Sequence, residues 1–143
     1  MDEHRLEIGA LRQMPFFADL GDDDLGEVVR IGTHQHFESG EEIVVQGDAG
    51  DGMYIVLEGR AQVDVGGRFH NLEPGAFVGE MALIRKRKRS ATVKAIEPVT
   101  ALKVSAEDFH AFLMAHPGVA VAMLGAVIDR LNEVQERVDA WMA

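Results

Sequence analysis

Apolar positions along this chain fall into three textures. Near the start, "LEIGALRQM" puts Leu6, Leu11 and Met14 on one side of a short helix. "DLGDDDLGEVVRI" then opens with acids, which suit the positive end of a helix, before Leu25, Val28, Val29 and Ile31. From His34 to Val104 the apolar positions break into eight short runs: "HQHFES", "EIVVQ", "MYIVLEG", "AQVDV", "RFHNL", "AFVG", "SATVKA" and "TALKVS". Turn signals part them: "SGEE", "GDAGDG", "GG" and "EPG". In "VDVGGRF", Gly66 and Gly67 suit the positive φ that both central positions of a tight hairpin require. Eight strands spaced this way predict a sandwich or barrel.

The last third returns to helical spacing. Ser105 reads as an N-cap, with Glu107 and Asp108 in the first turn and Phe109, Phe112 and Leu113 as the apolar stripe. Pro117 suits the first turn of a further helix running to about residue 142. Within it Leu124, Ile128, Leu131, Gln135, Val138 and Met142 make a heptad seam with one polar member, and Ala120, Met123, Val127 and Val134 make a neighbouring stripe. A helix on a monomer surface needs one apolar stripe. Two predict that one packs on the β-rich region and the other on a second copy, giving a homodimer through residues 120–142. The alternative is one wide stripe buried within a monomer.

With 143 residues, 47% of them hydrophobic, the chain is expected to form one domain. Residues 1–33 supply N-terminal helices, 34–104 the β region and 105–143 the C-terminal helices. Cysteine is absent, so no disulfide framework forms, in keeping with a cytoplasmic location. The N-terminus lacks the apolar run of a signal peptide, and no stretch approaches the roughly 20 apolar residues of a membrane helix.

Charge adds a puzzle. The chain carries −10, yet Arg85, Lys86, Arg87, Lys88 and Arg89 stand in a row, so everything outside that +5 run carries −15. A short basic run is a common sign of nucleic-acid contact, but the acidic remainder argues against nucleic acid as a partner.

The setting of that run decides how it reads. "FVGEMALI" followed by "RSATV" resembles the phosphate-binding cassette of cyclic nucleotide-binding domains, the family of catabolite activators, kinase regulatory subunits and some ion channels. The similarity extends to "LRQMPFFADL", to "FESGEEIVVQGDAGDGMYIVLEGRAQV" with Gly40, Gly47 and Gly59 at turns, and to "SAEDFHAFLMAHPGVA". Arg89 follows Glu80 by nine positions, as in the kinase type. The resemblance implies a mainly β fold, an eight-stranded jelly-roll β-roll with N-terminal helices and a long C-terminal helix. It implies a cyclic nucleotide as ligand, cAMP as the commoner bacterial one or else cGMP, and no metal.

It also assigns roles. Arg89 takes the cyclic phosphate, because a guanidinium bonds two phosphate oxygens at once and stays charged when partly buried. Glu80 accepts from the ribose 2′-hydroxyl. Gly79 allows close backbone approach. Met81 and Ala82 lie in a short helical turn whose leading amides face the phosphate, with Ala82 small enough to leave them open. Ser90, with Ala91 beside it, offers a hydroxyl to phosphate or base. Val134 and Gln135 fall where the last helix of catabolite activators meets the base, although Gln135 is equally readable as a seam residue that sets dimer register. Without the resemblance, Glu80 and Arg89 read as an internal ion pair.

One departure stands out. The kinase-type cassette carries a proline just before the arginine and a glycine in the preceding loop, and this chain has Lys86, Arg87 and Lys88 there. The loop is expected to be less preset, with the four cations before Arg89 solvated and raising the local potential.

Weaker signals point elsewhere. His34 and His36 lie on one face of a strand as a possible metal pair, but the further ligands a cupin needs are missing. "GDAGDG" has the wrong order for a dinucleotide fingerprint and reads as a hairpin loop. No catalytic constellation is visible. The expected function is a non-enzymatic cyclic nucleotide sensor. The competing class is an interaction module of the same fold that binds no nucleotide.

Overall fold

One strand explains the layering. In the computed structural model, which describes residues 2–142, β4 (Gly52–Glu58) is buried along nearly its whole length. Alternate residues of a strand face opposite sides. Met53, Ile55 and Leu57 enter one hydrophobic cluster, and Tyr54 and Val56 enter another. The adjacent strand β10 (Val99–Ser105) divides in the same way, with Leu102 and Val104 on one side and Val99 and Ala101 on the other. Both strands therefore lie in a middle layer, with helices on one face and a second sheet on the other.

The remaining strands are β1 (Thr33–Phe37), β2 (Glu42–Val44), β3 (Ala49–Gly50), β5 (Ala61–Val65), β6 (Arg68–Leu72), β7 (Phe77–Val78), β8 (Arg87–Lys88) and β9 (Thr92–Ala95). The middle sheet has the order β1-β10-β4-β7 and the outer sheet β2-β9-β5-β6, both antiparallel. These are the eight runs read from the sequence. The count of eight is nevertheless short by two, because β3 and β8 pair separately as a small third sheet. The result is a jelly-roll of two facing sheets, not a closed barrel. The tight hairpin is present: Val65 pairs with Arg68, and Gly66 and Gly67 have φ of 59° and 86°.

Helices cover the outer face of the middle sheet. They are α1 (Asp2–Arg12), α2 (Asp22–Arg30), α3 (Ala106–Ala115) and α4 (Pro117–Met142), with a 3-10 turn at Pro15–Phe17. Leu11, Met14, Phe17, Leu25 and Phe109 are fully buried against β4 and β10, and the Phe17 and Phe109 rings meet edge-on at 5.7 Å. Ser105 caps α3, its hydroxyl accepting from the Asp108 amide at 3.1 Å. Replacing Ser105 with alanine leaves that amide without its partner and is expected to cost about 1 kcal/mol, read as a lower denaturation midpoint with an unchanged slope.

α3 and α4 meet at 109°, with only His116 between them in a non-helical conformation. α4 packs on α3 and on the 3-10 turn through Val119, Met123 and Ala126. From Val127 to Met142 every residue is exposed. This corrects the expected stripe: of Ala120, Met123, Val127 and Val134 only Met123 is buried. The stripe that packs inward has the spacing 119, 122, 123, 126, and it meets α3 and the 3-10 turn rather than the strands directly. The alternative of one wide stripe buried in a monomer does not hold, since Leu124, Ile128, Leu131 and Val138 are all exposed. Among the described residues no single helix is long and apolar enough to cross a membrane.

Candidate functional site

The jelly-roll holds an open-mouthed cavity of about 290 Å³. Its floor is apolar, supplied by inward residues of the outer sheet such as Val44, Val63 and Val93, with Leu72 and Phe77 beside them. One rim is the 3-10 turn Glu80–Leu83 with Gly79 before it, and the other is the segment Arg87–Ala91. Gly79, Glu80, Met81, Ala82, Arg89, Ser90 and Ala91 thus all line a single cavity. Val134 and Gln135 do not. They lie on the exposed part of α4, where the Gln135 amide donates to Asp139 at 3.1 Å.

Arg89 is the most constrained group there. Its backbone amide donates to the Asp48 carbonyl at 2.8 Å, and its carbonyl accepts from the Gly47 amide at 2.9 Å. Its side chain is 8% exposed. The guanidinium donates to the Gly52 carbonyl at 2.8 Å, and an Asp51 carboxylate oxygen lies 3.9 Å away. Asp51 also faces Lys103 at 3.4 Å. The Asp51 carbonyl accepts from the Ala106 amide at 2.7 Å, so the residues that hold Arg89 also hold the first turn of α3.

Gly79 makes room for this arginine. Its φ is 76°, and a Cβ added to it would stand 2.1 Å from Arg89 Nη1. An arginine has five N–H donors. Among the described residues Arg89 commits one side-chain bond to the protein, to a neutral carbonyl. A nearly buried cation with this much unused donor capacity, open to a cavity, is suited to an anion.

The other predicted residues divide. Glu80 is half-buried in the rim and, among the described residues, forms no ion pair with Arg89, so the internal ion-pair reading is not what the structure shows. The Ala82 amide is turned inward to the Gly79 carbonyl at 3.0 Å. Of the leading amides expected to face a phosphate, then, Ala82 is already engaged.

Two expectations about loops change. The segment before Arg89 is not wholly a loop: β8 pairs with β3 in the register Ala49↔Lys88 and Gly50↔Arg87. Gly50 permits the approach, since a Cβ there would be 2.9 Å from the Arg87 carbonyl. "GDAGDG", read as a plain hairpin loop, instead supplies β3, Asp51 and the carbonyl of Gly52 that Arg89 bonds. Asp51 and Gly52, which contact Arg89 without lining the cavity, are what sequence reading missed. His36 bonds Thr100 across β1 and β10 at 3.0 Å, and among the described residues no group of three or more His, Cys, Asp or Glu is placed to hold a metal.

Fold and site together define a jelly-roll ligand-binding domain with an arginine in the wall of its cavity. A family model described as the cyclic nucleotide-binding domain matches residues 34–116. The chain is 35% identical over 117 residues to a cyclic nucleotide-gated potassium channel of Rhizobium etli, covering 82% of this chain and 33% of the channel. The N-terminal domain of a transcriptional regulator from Streptomyces coelicolor A3(2) superposes with a TM-score of 0.75 at 30% identity, covering 90% of this chain and 94% of that one. The catabolite activator protein of Thermus thermophilus gives a TM-score of 0.63 at 27% identity, covering 90% of this chain and 63% of that one. The chain belongs to the cyclic nucleotide-binding domain family, whose members here include regulators and a gated channel. It spans about a quarter to a third of the length of the curated channels it matches.

Proposed function

We propose that this chain is a non-catalytic sensor that binds a cyclic nucleotide, cAMP or cGMP, in the 290 Å³ cavity. The observation that carries the reading is Arg89, nearly buried at the cavity wall with one protein hydrogen bond from its guanidinium. A cyclic phosphate matches it in charge and in donor geometry. Glu80, in the facing rim, takes the ribose 2′-hydroxyl. The Glu80 and Met81 amides, which have no backbone acceptor among the described residues, face the phosphate. Ser90 adds its hydroxyl, and Ala82 and Ala91 keep the walls low. The cavity volume sits near the lower end of the roughly 300–1,000 Å³ typical of small-molecule sites, which suits one mononucleotide.

Calorimetry with cAMP and with cGMP tests this. Binding of either supports the sensor, and the ratio of affinities ranks the two ligands. Absence of heat with both favours an interaction module of the same fold.

In this reading residues 1–143 act as one unit, and α4 carries the output. Val134 and Gln135 reach the base only if α4 swings toward the cavity or arrives from a second copy. A ligand that bridges the cassette and this helix favours whichever state brings them together. The exposed seam of Leu124, Ile128, Leu131 and Val138 supports a homodimer through residues 120–142. Leu131→Glu places a charge in that seam and is expected to turn the dimer into a monomer in sedimentation equilibrium, with the melting temperature of the roll little changed. A wild-type monomer at the same concentration would exclude the dimer.

A further inference from the structure

Arg87 and Arg89 belong to one extended segment, and both reach the same rim. β8 pairs with β3, and the bonds of Arg89 to Asp48 and Gly47 continue that pairing. Alternate residues of such a segment face one side and stand about 7 Å apart. Arg89 Nη1 fills the space beside Gly79, and Arg87 Nη1 lies 3.5 Å from the Met81 sulfur. A thioether is a weak acceptor, so Arg87 gives up little by leaving it. Arg89 is nearly buried at the wall while Arg87 is exposed at the mouth.

The cavity lining counts three cations, Arg87, Lys88 and Arg89, against one carboxylate, Glu80. One cyclic phosphodiester carries a single negative charge and occupies a single guanidinium. It leaves a positive wall at the mouth of a chain whose other residues are strongly acidic. Two apolar side chains, Val65 and Met81, also line the cavity while remaining 49% and 55% exposed. Both features exceed what one mononucleotide uses.

We propose that the cavity takes a nucleotide with two phosphates, the first at Arg89 and the second at Arg87. The class is a cyclic dinucleotide, in which a nucleoside unit separates the two phosphodiesters. The second base then lies outside the filled cavity, against Val65 and Met81. This inference rests on the nucleotide-binding reading of the same site and extends its ligand from one phosphate to two, with one nucleotide unit inside the cavity and the other beyond its mouth.

The test compares cyclic di-AMP with cAMP, and cyclic di-GMP with cGMP, by calorimetry on the full chain. A cyclic dinucleotide is expected to bind at least about tenfold more tightly than the mononucleotide of the same base, as one further charge-assisted contact allows. Arg87→Ala is expected to remove that advantage while leaving mononucleotide affinity within about threefold. Arg85→Ala, outside the cavity lining, serves as the control and is expected to preserve the advantage. If mononucleotides bind and dinucleotides bind no better, the second phosphate site is wrong and the nucleotide reading survives. If Arg87→Ala weakens both ligand types equally, Arg87 acts only through its long-range field and the proposal falls. If no ligand binds, the nucleotide reading itself fails and takes this inference with it.

Discussion

Replacing Arg89 with alanine is expected to remove cyclic nucleotide binding while the fold stands. The guanidinium faces a cavity with most of its donors unused, so its loss removes the charge-assisted contacts proposed for the phosphate. Such contacts in a desolvated setting are worth about 2–5 kcal/mol, which places the affinity loss at about 30-fold or more. The cost to the fold is smaller. The Gly52 carbonyl loses one donor, about 1 kcal/mol, and Asp51 keeps Lys103 at 3.4 Å. Removing a nearly buried cation also removes its desolvation penalty, which offsets part of that loss. Calorimetry reads the affinity, and thermal melting reads the fold. Added nucleotide should raise the melting temperature of the wild-type chain and not that of the variant, because only a binding-competent native state gains from ligand. Arg89→Lys keeps the charge and loses the fork, so it should fall between the two. Unchanged affinity in Arg89→Ala would overturn the assignment.

How much of this was legible in the sequence depended on where apolar contrast existed. The eight runs that became the two large sheets carry it, and their alternation follows from burial of one or both strand faces. The continuous run of β4 has its explanation in the middle layer, where Met53 and Ile55 meet helices while Tyr54 and Val56 meet the outer sheet. The Gly66–Gly67 hairpin and the Ser105 cap were legible because their chemistry is local. The β3–β8 pair was not. It consists of Ala49 and Gly50 against Arg87 and Lys88, with no apolar pattern, and its pairing depends on two distant loops meeting at the cavity mouth.

Arg89 and Gly79 were legible as a cassette, while the groups that orient Arg89 were not. Asp51 and Gly52 lie 38 and 37 positions away, and one of the two contributes only its backbone carbonyl, which any residue provides. The helix α4 shows a related limit. Its heptad seam is visible from spacing alone, but which stripe meets α3 and the 3-10 turn depends on the 109° bend at His116. That angle places Val119, Ala122, Met123 and Ala126 inward and leaves the seam outside. The same bend explains why Val134 and Gln135, matched to a base-contacting position, stand apart from the cavity in a single chain.

Gly79→Ala is expected to impair ligand binding far more than stability, and the contrast with Gly59→Ala shows why. Both glycines have positive φ, 76° and 82°, so alanine costs about 1 kcal/mol of backbone strain at either. The obstacles differ. At Gly79 the new Cβ meets Arg89 Nη1 at 2.1 Å, the far end of a flexible side chain. At Gly59 it meets the Pro98 carbonyl oxygen at 2.0 Å, with the backbone of Val99 close behind. The first clash is relieved by pushing the guanidinium off the Gly52 carbonyl and out of its place in the cavity. The second is relieved only by displacing the chain between β9 and β10. Gly79→Ala should therefore lose about tenfold or more in nucleotide affinity with a melting temperature only a few degrees lower. Gly59→Ala should lose about 2–4 kcal/mol of stability, and its remaining folded fraction should bind nucleotide normally. Chemical denaturation followed by calorimetry on each variant separates the two effects. Normal affinity in a folded Gly79→Ala would show that the position of Arg89 does not control binding, because the clash leaves the guanidinium nowhere to remain.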